Sequence, residues 1–359
     1  MKLIELHILQ SFPVSCLNRD DVGSPKTAVF GGVNRARLSS QSLKRAIREY
    51  AQDNLPDARF GGERTKLLAL SIQKVLQDKH KVPEQRALEL ACAVAGVLNK
   101  KDGKPLPVDS PEMETLYFTS PKQTEAMADL AFSAFGLKEA IKPDKKGFVK
   151  AILDAGFGDA ADIAIFGRMV AADSSLTLEG AAMFSHALST HKCDNDLDYF
   201  AAVDECQPKT QQGAAHIDSL QFSSAVYYRY AAVNLDLLAD QDHLAKLATE
   251  ERRKVVNAFI RATLLAVPGA RKNSMNAHTL PGYVLGTFKS AGQPVQLINA
   301  FENPVRPKFG AGLLEPSIEA LKLHHAKLKE TWGITCDTEV AIPDSNLNAF
   351  CEALTQHVR

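Results

Sequence analysis

Strand-like patterns of apolar residues occupy four stretches of the chain. The first predicted strand covers residues 2–12 (KLIELHILQSF), and a polar loop and a turn at Gly31-Gly32 follow it. The strongest strand pattern is LQFSSAVYYRYAAVNL, with AAMFSHALSTH before it and PGYVLGTFKS after it. One helix begins after the turn, and a long amphipathic helix, HLAKLATEERRKVVNAFIRATLLAVPGA, ends at Pro268-Gly269. One further helix, SIEALKLHHAKLKETWG, closes the chain.

Between Asp57 and about Leu178 the apolar spacing becomes helical, as in ERTKLLALSIQKVLQ and PEQRALELACAVAGVLNK. We therefore predict an α+β fold, in which a helical insertion of about 120 residues interrupts a βαββαβ, ferredoxin-like core. The core comprises residues 1–56 and 179–359, and the insertion comprises residues 57–178. A polar stretch at about 192–214 predicts a projecting loop or hairpin.

The composition is that of a globular protein with a real core. The 359 residues are 45% hydrophobic and 23% charged, with a formal net charge of zero. The N-terminal stretch lacks a signal-peptide pattern, and no stretch has the roughly 18 apolar residues of a membrane span. Six scattered cysteines without a CxxC pair are typical of free thiols. We expect a soluble, cytoplasmic protein that contacts no membrane.

Positive charge is concentrated in residues 26–48 (KTAVFGGVNRARLSSQSLKRAIR), which contain six basic side chains and no acidic one. Ser39 or Ser40 can cap the helix that follows, and helix N-termini attract anions. Helical periodicity places four polar side chains of this segment on one face: Gln41, Lys44, Arg45 and Arg48. The pattern favours a phosphate site at the start of this helix.

Cations also precede this helix. Arg35 and Arg37 alternate along a strand and would share a face, while Arg19 and Lys26 lie on the preceding loop. Such a spread of cations fits a run of phosphates better than one small anion. The alternative is a solvated basic surface that acidic residues elsewhere balance.

Seven motifs occur in the order found in one family: SCLNRDD, AVFGG, RLSSQSLKRAIR, FGRM, FSHALSTH, DYFAAVDE and FSSAVYYRYA. Over residues 3 to about 235 the chain resembles the CasC family of the RAMP superfamily, the backbone subunits of type I-E CRISPR Cascade complexes. The resemblance implies a modified RNA-recognition-motif palm, helical fingers and a thumb hairpin at about 192–214. It also implies that about six copies polymerise head to tail along a crRNA.

The resemblance also assigns roles to individual residues. The positions that would hold crRNA phosphates are Arg19, Lys26, Ser39, Gln41, Lys44 and Arg48, and the helix pattern adds Ser40 and Arg45. Arg168-Met169 matches a finger-base motif whose methionine wedges beside bases, and Phe200 matches the thumb tip. The implied partners are crRNA, target DNA paired to the guide, other Cascade subunits and a recruited helicase–nuclease. A non-enzymatic subunit without cofactors is expected.

Two stretches match metal-site patterns only weakly. Residues 194–205 (DNDLDYFAAVDE) place acids as in a calcium loop, but Tyr199 stands where that loop requires glycine. His186, His191 and Cys193 could suggest zinc, yet no fourth ligand has convincing spacing.

The main alternative function is a metal-dependent endoribonuclease of the RAMP superfamily. Some members of that superfamily cut target RNA with an aspartate on the loop after the first strand, where Asp20 and Asp21 lie. A metabolic enzyme on a ferredoxin-like core is the third class considered. The sequence contains no GxGxxG, nucleotide-binding loop or evident Ser-His-Asp arrangement that would favour it.

Overall fold

The computed structural model describes residues 1–99, 103–136, 138, 141–202, 216–307 and 310–359. Helices and an antiparallel sheet together confirm the α+β prediction. The strands are β1 (Leu3–Ser15), β2 (Thr27–Phe30), β3 (Val33–Leu38), β4 (Glu63–Thr65), β5 (Tyr117–Thr119), β6 (Ala182–Phe184), β7 (Ala187–Ser189), β8 (Asp196–Ala202), β9 (His216–Asn234), β10 (Tyr283–Lys289) and β11 (Thr338–Ile342). The helices are α1 (Ser40–Asn54), α2 (Leu68–His80), α3 (Glu84–Asn99), α4 (Pro121–Phe135), α5 (Lys145–Ala155), α6 (Ala161–Phe166), α7 (Leu235–Leu238), α8 (Thr249–Leu265), α9 (Leu314–Trp332) and α10 (Leu347–Thr355).

The main sheet has the strand order β11-β10-β1-β9-β7-β3-β2, and β6 and β8 also pair with β9. Strand β1 is central, and its residues 3–10 are all buried. Helix α9 packs on β1, and Leu321 of that helix joins Leu9, Tyr228 and Phe301 in one apolar cluster. The N-terminal strand therefore forms the middle of a core whose other members come from distant parts of the chain.

Three predictions of secondary structure need correction. AAMFSHALSTH forms two short strands, β6 and β7, because the chain leaves the sheet at Ser185 and His186. The long helix begins at Thr249 rather than at His243. The prediction that one helix closes the chain is wrong, since β11 extends the sheet edge and α10 follows it.

The chain forms two compact units. The first comprises Met1–Tyr50, Met183–Ala232 and Phe259–His357, and the second comprises Ala51–Ala182, Val233–Ala258 and Val358–Arg359. In the second unit α2 to α5 surround an apolar cluster that includes Ile72, Leu90, Met127 and Ile152. A two-stranded sheet of β4 and β5, which was not predicted, accompanies these helices. The palm, finger and thumb boundaries stay predictions.

The turn between β2 and β3 requires glycine. Gly31 and Gly32 have φ angles of 59° and 75°, a region that other residues rarely adopt. A Cβ atom on Gly31 would also lie 1.7 Å from the carbonyl oxygen of Glu302. The turn is therefore packed directly against the backbone at residues 301–302.

Arg35 fixes the same contact from inside the protein. Its side chain is fully buried, and burial lowers the pKa of its guanidinium. The guanidinium donates hydrogen bonds to four carbonyl oxygens, those of Phe30 (3.1 Å), Ser189 (3.1 Å), Phe301 (2.8 Å) and Glu302 (3.3 Å). The prediction that Arg35 belongs to the cations facing a run of phosphates is therefore wrong, because its guanidinium hydrogen-bonds to the fold's own backbone.

Candidate nucleic-acid interface

The N-terminus of α1 is capped by Ser39. Its Oγ accepts a hydrogen bond from the Ser42 amide at 3.3 Å, as expected of an N-cap. The Ser39 amide donates to Asn18 Oδ1, and the Ser40 amide donates to His186 Nδ1 at 3.1 Å. These backbone donors already have partners within the first unit. Anion binding at this helix would therefore depend on side chains more than on free amides.

The polar side chains of α1 lie in two different surroundings. Arg45 is exposed and forms a 2.6 Å ion pair with Glu49, and that hydrogen bond and charge raise the pKa of Arg45. Lys44 Nζ lies 5.3 Å from the ring centre of Phe184, while Arg48 is half-buried. Gln41 is exposed at the start of the helix. The predicted face thus carries the cations Lys44, Arg45 and Arg48, and Glu49 pairs with Arg45.

The loop after β1 is organised by Asp20. Its Oδ1 accepts hydrogen bonds from the amides of Val22 (3.0 Å) and Ser24 (2.8 Å). The loop backbone presents an exposed Arg19 and a half-buried Lys26. This carboxylate oxygen therefore stabilises the loop, and these two hydrogen bonds would compete with binding of a metal ion by the same oxygen.

An open cavity of about 790 Å³ lies in the first unit between this loop, α1 and residues 268–272. Its charged lining consists of the cations Arg19, Arg45 and Lys272 and the carboxylates Asp20, Asp21 and Glu49. The groove therefore has mixed charge and differs from the uniformly basic wall that residues 26–48 suggest. Lys272 was missed by the sequence reasoning, although the basic pair in GARK after the helix stop is a local signal for it.

Arg168 and Met169, which are adjacent in the second unit, have opposite environments. Arg168 is 3% exposed, whereas Met169 is 85% exposed. The Arg168 guanidinium donates to Leu176 O (2.9 Å), Phe118 O (3.2 Å) and Gln123 Oε1 (2.9 Å), and burial lowers its pKa. In this structure Arg168 holds the turn that presents Met169, so the accessible member of the predicted pair is the methionine.

Met169 lies at a cavity of about 470 Å³ in the second unit. Phe118 and the largely exposed Leu116 also line it, and the Arg64 guanidinium lies 4.5 Å from the centre of the Phe118 ring. Apolar faces beside a cation suit the flat, polar-edged shape of a nucleic-acid base. The sequence reasoning missed Arg64, because only the pairing of β4 with β5 brings it beside Phe118.

The predicted projecting segment contains β8, which pairs antiparallel with β9 beyond the segment, so that Phe200 lies opposite Asp218. Tyr199 and Phe200 are 71% and 44% exposed, which is unusual for adjacent aromatic residues. Residues 203–214 of the predicted segment lie outside the described residues. The described part of the segment thus exposes two aromatic side chains to solvent.

The structure supports neither of the two weak metal predictions. Residues 196–202 form strand β8, and a calcium loop of the predicted type needs helices on either side. The zinc candidates are engaged separately: His186 Nδ1 binds the Ser40 amide, His191 Nε2 binds the Val226 amide, and Cys193 Sγ contacts backbone carbonyls. Within the described ranges, no helix has the length and apolar character that crossing a membrane requires.

The fold and these surfaces define an α+β protein of two compact units, each with a candidate contact surface. The chain belongs to the family described as CT1975-like protein, which matches residues 4–355. No curated protein matches it.

Two solved structures resemble the chain over its length. One chain, from a structure described as "CRISPR RNA-guided surveillance complex, pre-nicking", is 27% identical with a TM-score of 0.81, covering 99% of this chain and 100% of that chain. Another, from a "CRISPR RNA-guided surveillance complex", is 24% identical with a TM-score of 0.71, covering 99% of both chains; at this identity it shows the fold alone. The family match and the first of these structures confirm the resemblance to subunits of CRISPR surveillance complexes, while the backbone role and the type I-E assignment stay predictions.

Proposed function

We propose that this chain is a crRNA-binding backbone subunit of a type I-E CRISPR Cascade complex, acting in antiviral defence. The observation that carries the proposal is the full-length structural match, at 27% identity, to a chain of an RNA-guided surveillance complex. Copies of the chain would polymerise head to tail along the guide and present it for pairing with target DNA. Other Cascade subunits and a recruited helicase–nuclease would complete the complex, in the cytoplasm.

The strand order supports an RRM-like palm. Strand β1 lies between β10 and β9, and β7 lies beyond β9. A βαββαβ core requires this arrangement, with α1 following the first strands and α8 preceding β10. The sheet would then provide a rigid base for the cations of α1 and of the loop after β1.

The distribution of cations supports phosphate binding without sequence selection. Arg19, Lys26, Lys44 and Arg48 are charged side chains within the first unit that are exposed or half-buried. Contacts to phosphates provide affinity but no sequence information, which suits a carrier of arbitrary guides. Sequence would be read by base pairing with the guide.

Exposed apolar side chains support a role in spacing the guide. Met169 and Phe200 can interrupt base stacking whatever the base, since every base has a flat apolar face. We expect Met169→Ala and Phe200→Ala to retain RNA but to weaken the periodic pattern of nucleotide reactivity in chemical probing. The matched control is Leu323→Ala, because Leu323 is an exposed apolar residue on α9. An evenly stacked guide in the wild-type complex would contradict the wedge role.

Co-purification tests the main proposal directly. The tagged full-length chain, isolated from cells that carry its CRISPR locus, should bring down RNA of one defined length together with other complex subunits. RNA of random length, or no RNA, would contradict the proposed backbone role.

The alternative function is target-RNA cleavage, which the exposure of Asp20 and Asp21 beside Arg19 in the larger cavity favours. We expect the assembled complex to leave complementary RNA intact in the presence of Mg²⁺. The informative variant is Asp20→Asn, because its amide oxygen can still accept the two loop hydrogen bonds while the charge is removed. Regularly spaced cuts by the wild type that disappear in Asp20→Asn or Asp21→Asn would establish the nuclease instead.

A further inference from the structure

Three polar residues lie opposite one another on three neighbouring strands of the sheet. Glu5 of β1 lies opposite Thr287 of β10, and Thr287 lies opposite Glu339 of β11. Glu5 is fully buried and forms an ion pair with Lys289, which is also buried. Thr287 is 1% exposed, yet its Oγ1 has no hydrogen-bond partner among the residues that the structure describes. A buried hydroxyl without a partner is uncommon in proteins and requires an explanation.

Three metal-ligating side chains gather beside Thr287. They are His325 on α9, Cys336 on the connection to β11, and Glu339 on β11, and their ligand atoms all lie within 4.8 Å of one another. His325 Nε2 and Glu339 Oε1 are 3.3 Å apart. At a tetrahedral zinc ion with bonds of about 2.1 Å, two ligand atoms are separated by about 3.4 Å. The side chains thus need only small movements to share one ion.

We propose that His325, Cys336 and Glu339 bind a zinc ion that joins α9 to β11. Imidazole, thiolate and carboxylate are together the ligand set that zinc accepts, and a thiolate disfavours magnesium and calcium. A water molecule would complete the four ligands. Thr287 and His325 line the same small cavity, so the Thr287 hydroxyl is placed to accept a hydrogen bond from that water.

Lys329 explains how the cluster is stable without the ion. Its Nζ lies 2.7 Å from Glu339 Oε1, the same oxygen that His325 approaches. The ammonium group neutralises the carboxylate and competes with a metal for that oxygen. Removal of this charge should therefore increase zinc affinity, whereas removal of any ligand should decrease it.

Zinc binding is expected to stabilise the edge of the sheet at β11. Strand β11 is the last strand on its side of the sheet; it pairs with β10, and α10 packs against it. An ion bound by both α9 and β11 favours the folded edge by mass action, because the unfolded chain does not bring the three ligands together. Zinc should accordingly raise the thermal unfolding midpoint of the chelator-treated protein.

The probe for this site is Co²⁺, added to the full-length protein after treatment with a chelator. A cobalt ion bound to Cys336 gives a thiolate-to-metal charge-transfer band in the near ultraviolet. We expect a band that saturates at one equivalent and is displaced by Zn²⁺. Cys336→Ser should abolish the band, His325→Gln should weaken binding by tenfold or more, and Lys329→Met should strengthen it.

The matched control is His324→Gln, since His324 is the neighbouring histidine on α9 and is not in the cluster. Its cobalt affinity should equal that of the wild type. The proposal is overturned if the wild type gives no band, if the band persists in Cys336→Ser, or if the two histidine variants bind equally. Circular dichroism identifies a variant that fails to fold, and Lys329→Met tests the site without removing a ligand.

Discussion

Loss of Lys44 and Arg48 is expected to weaken RNA retention and to flatten its salt dependence. Both side chains lie on the polar face of α1, where phosphate contacts are proposed. Each lost single-strand phosphate contact should reduce the slope of log affinity against log salt concentration by about 0.7. The measurement is RNA binding by Lys44→Ala/Arg48→Ala protein over a series of salt concentrations, with wild-type protein in parallel.

Arg45→Ala provides the comparison within the same helix. Arg45 is paired with Glu49 at 2.6 Å, so part of its charge is already compensated. We expect a smaller change of slope in Arg45→Ala than in the double variant. An unchanged slope in the double variant, or a larger change in Arg45→Ala, would contradict phosphate binding at Lys44 and Arg48.

Arg35→Ala should cause a large loss of stability. The substitution removes the donors for carbonyl oxygens on β2, on β7 and at residues 301–302. A buried polar group left without a partner costs about 1–3 kcal/mol, so three or four such groups should cost several kcal/mol. Urea denaturation of the full chain should show a clearly lower transition midpoint.

Arg37→Ala is the matched control for Arg35→Ala, two positions further along β3. Arg37 is half-buried, and its Nε donates to Thr27 O at 3.1 Å. We expect a loss of at most about 1 kcal/mol, the ordinary contribution of one hydrogen bond. Equal midpoints for the two variants would mean that the Arg35 bonds do not stabilise the fold. Arg35→Lys should recover little, because an ammonium group cannot reproduce the planar array of donors.

The elements with strong periodic patterns could be predicted from the sequence. Strand β10 and helices α1 and α9 match the predicted segments closely, because each has a continuous pattern bounded by turn residues or a capping serine. Strands β4 and β5 have three residues each, too few to show alternation. Strand β11 was missed, although the alternate β-branched residues of TEVAI (Thr338, Val340 and Ile342) are a local strand signal.

The site was harder to predict than the fold, because the sequence shows which side chains are charged but not which groups surround them in space. Arg35 and Arg168 look like surface cations in the sequence, yet each donates to several internal acceptors. Their burial depends on residues about 50 to 270 positions away, which no local pattern contains. Met169 and Phe200 could be found only through the family resemblance, because an isolated apolar residue in a sequence usually belongs to a core.

The central position of β1 has a consequence for the order of events during synthesis. Its buried His7 is hydrogen-bonded to Tyr228, 221 positions later in the chain, and Gln10 binds the carbonyl of Thr279, 269 positions later. The ribosome therefore completes this buried strand long before either sheet neighbour exists. Until then the strand must be shielded by a chaperone or by transient contacts, because exposed apolar strands aggregate. Synthesis that is too rapid, or a shortage of chaperones, should consequently lower the yield of this protein in a foreign host.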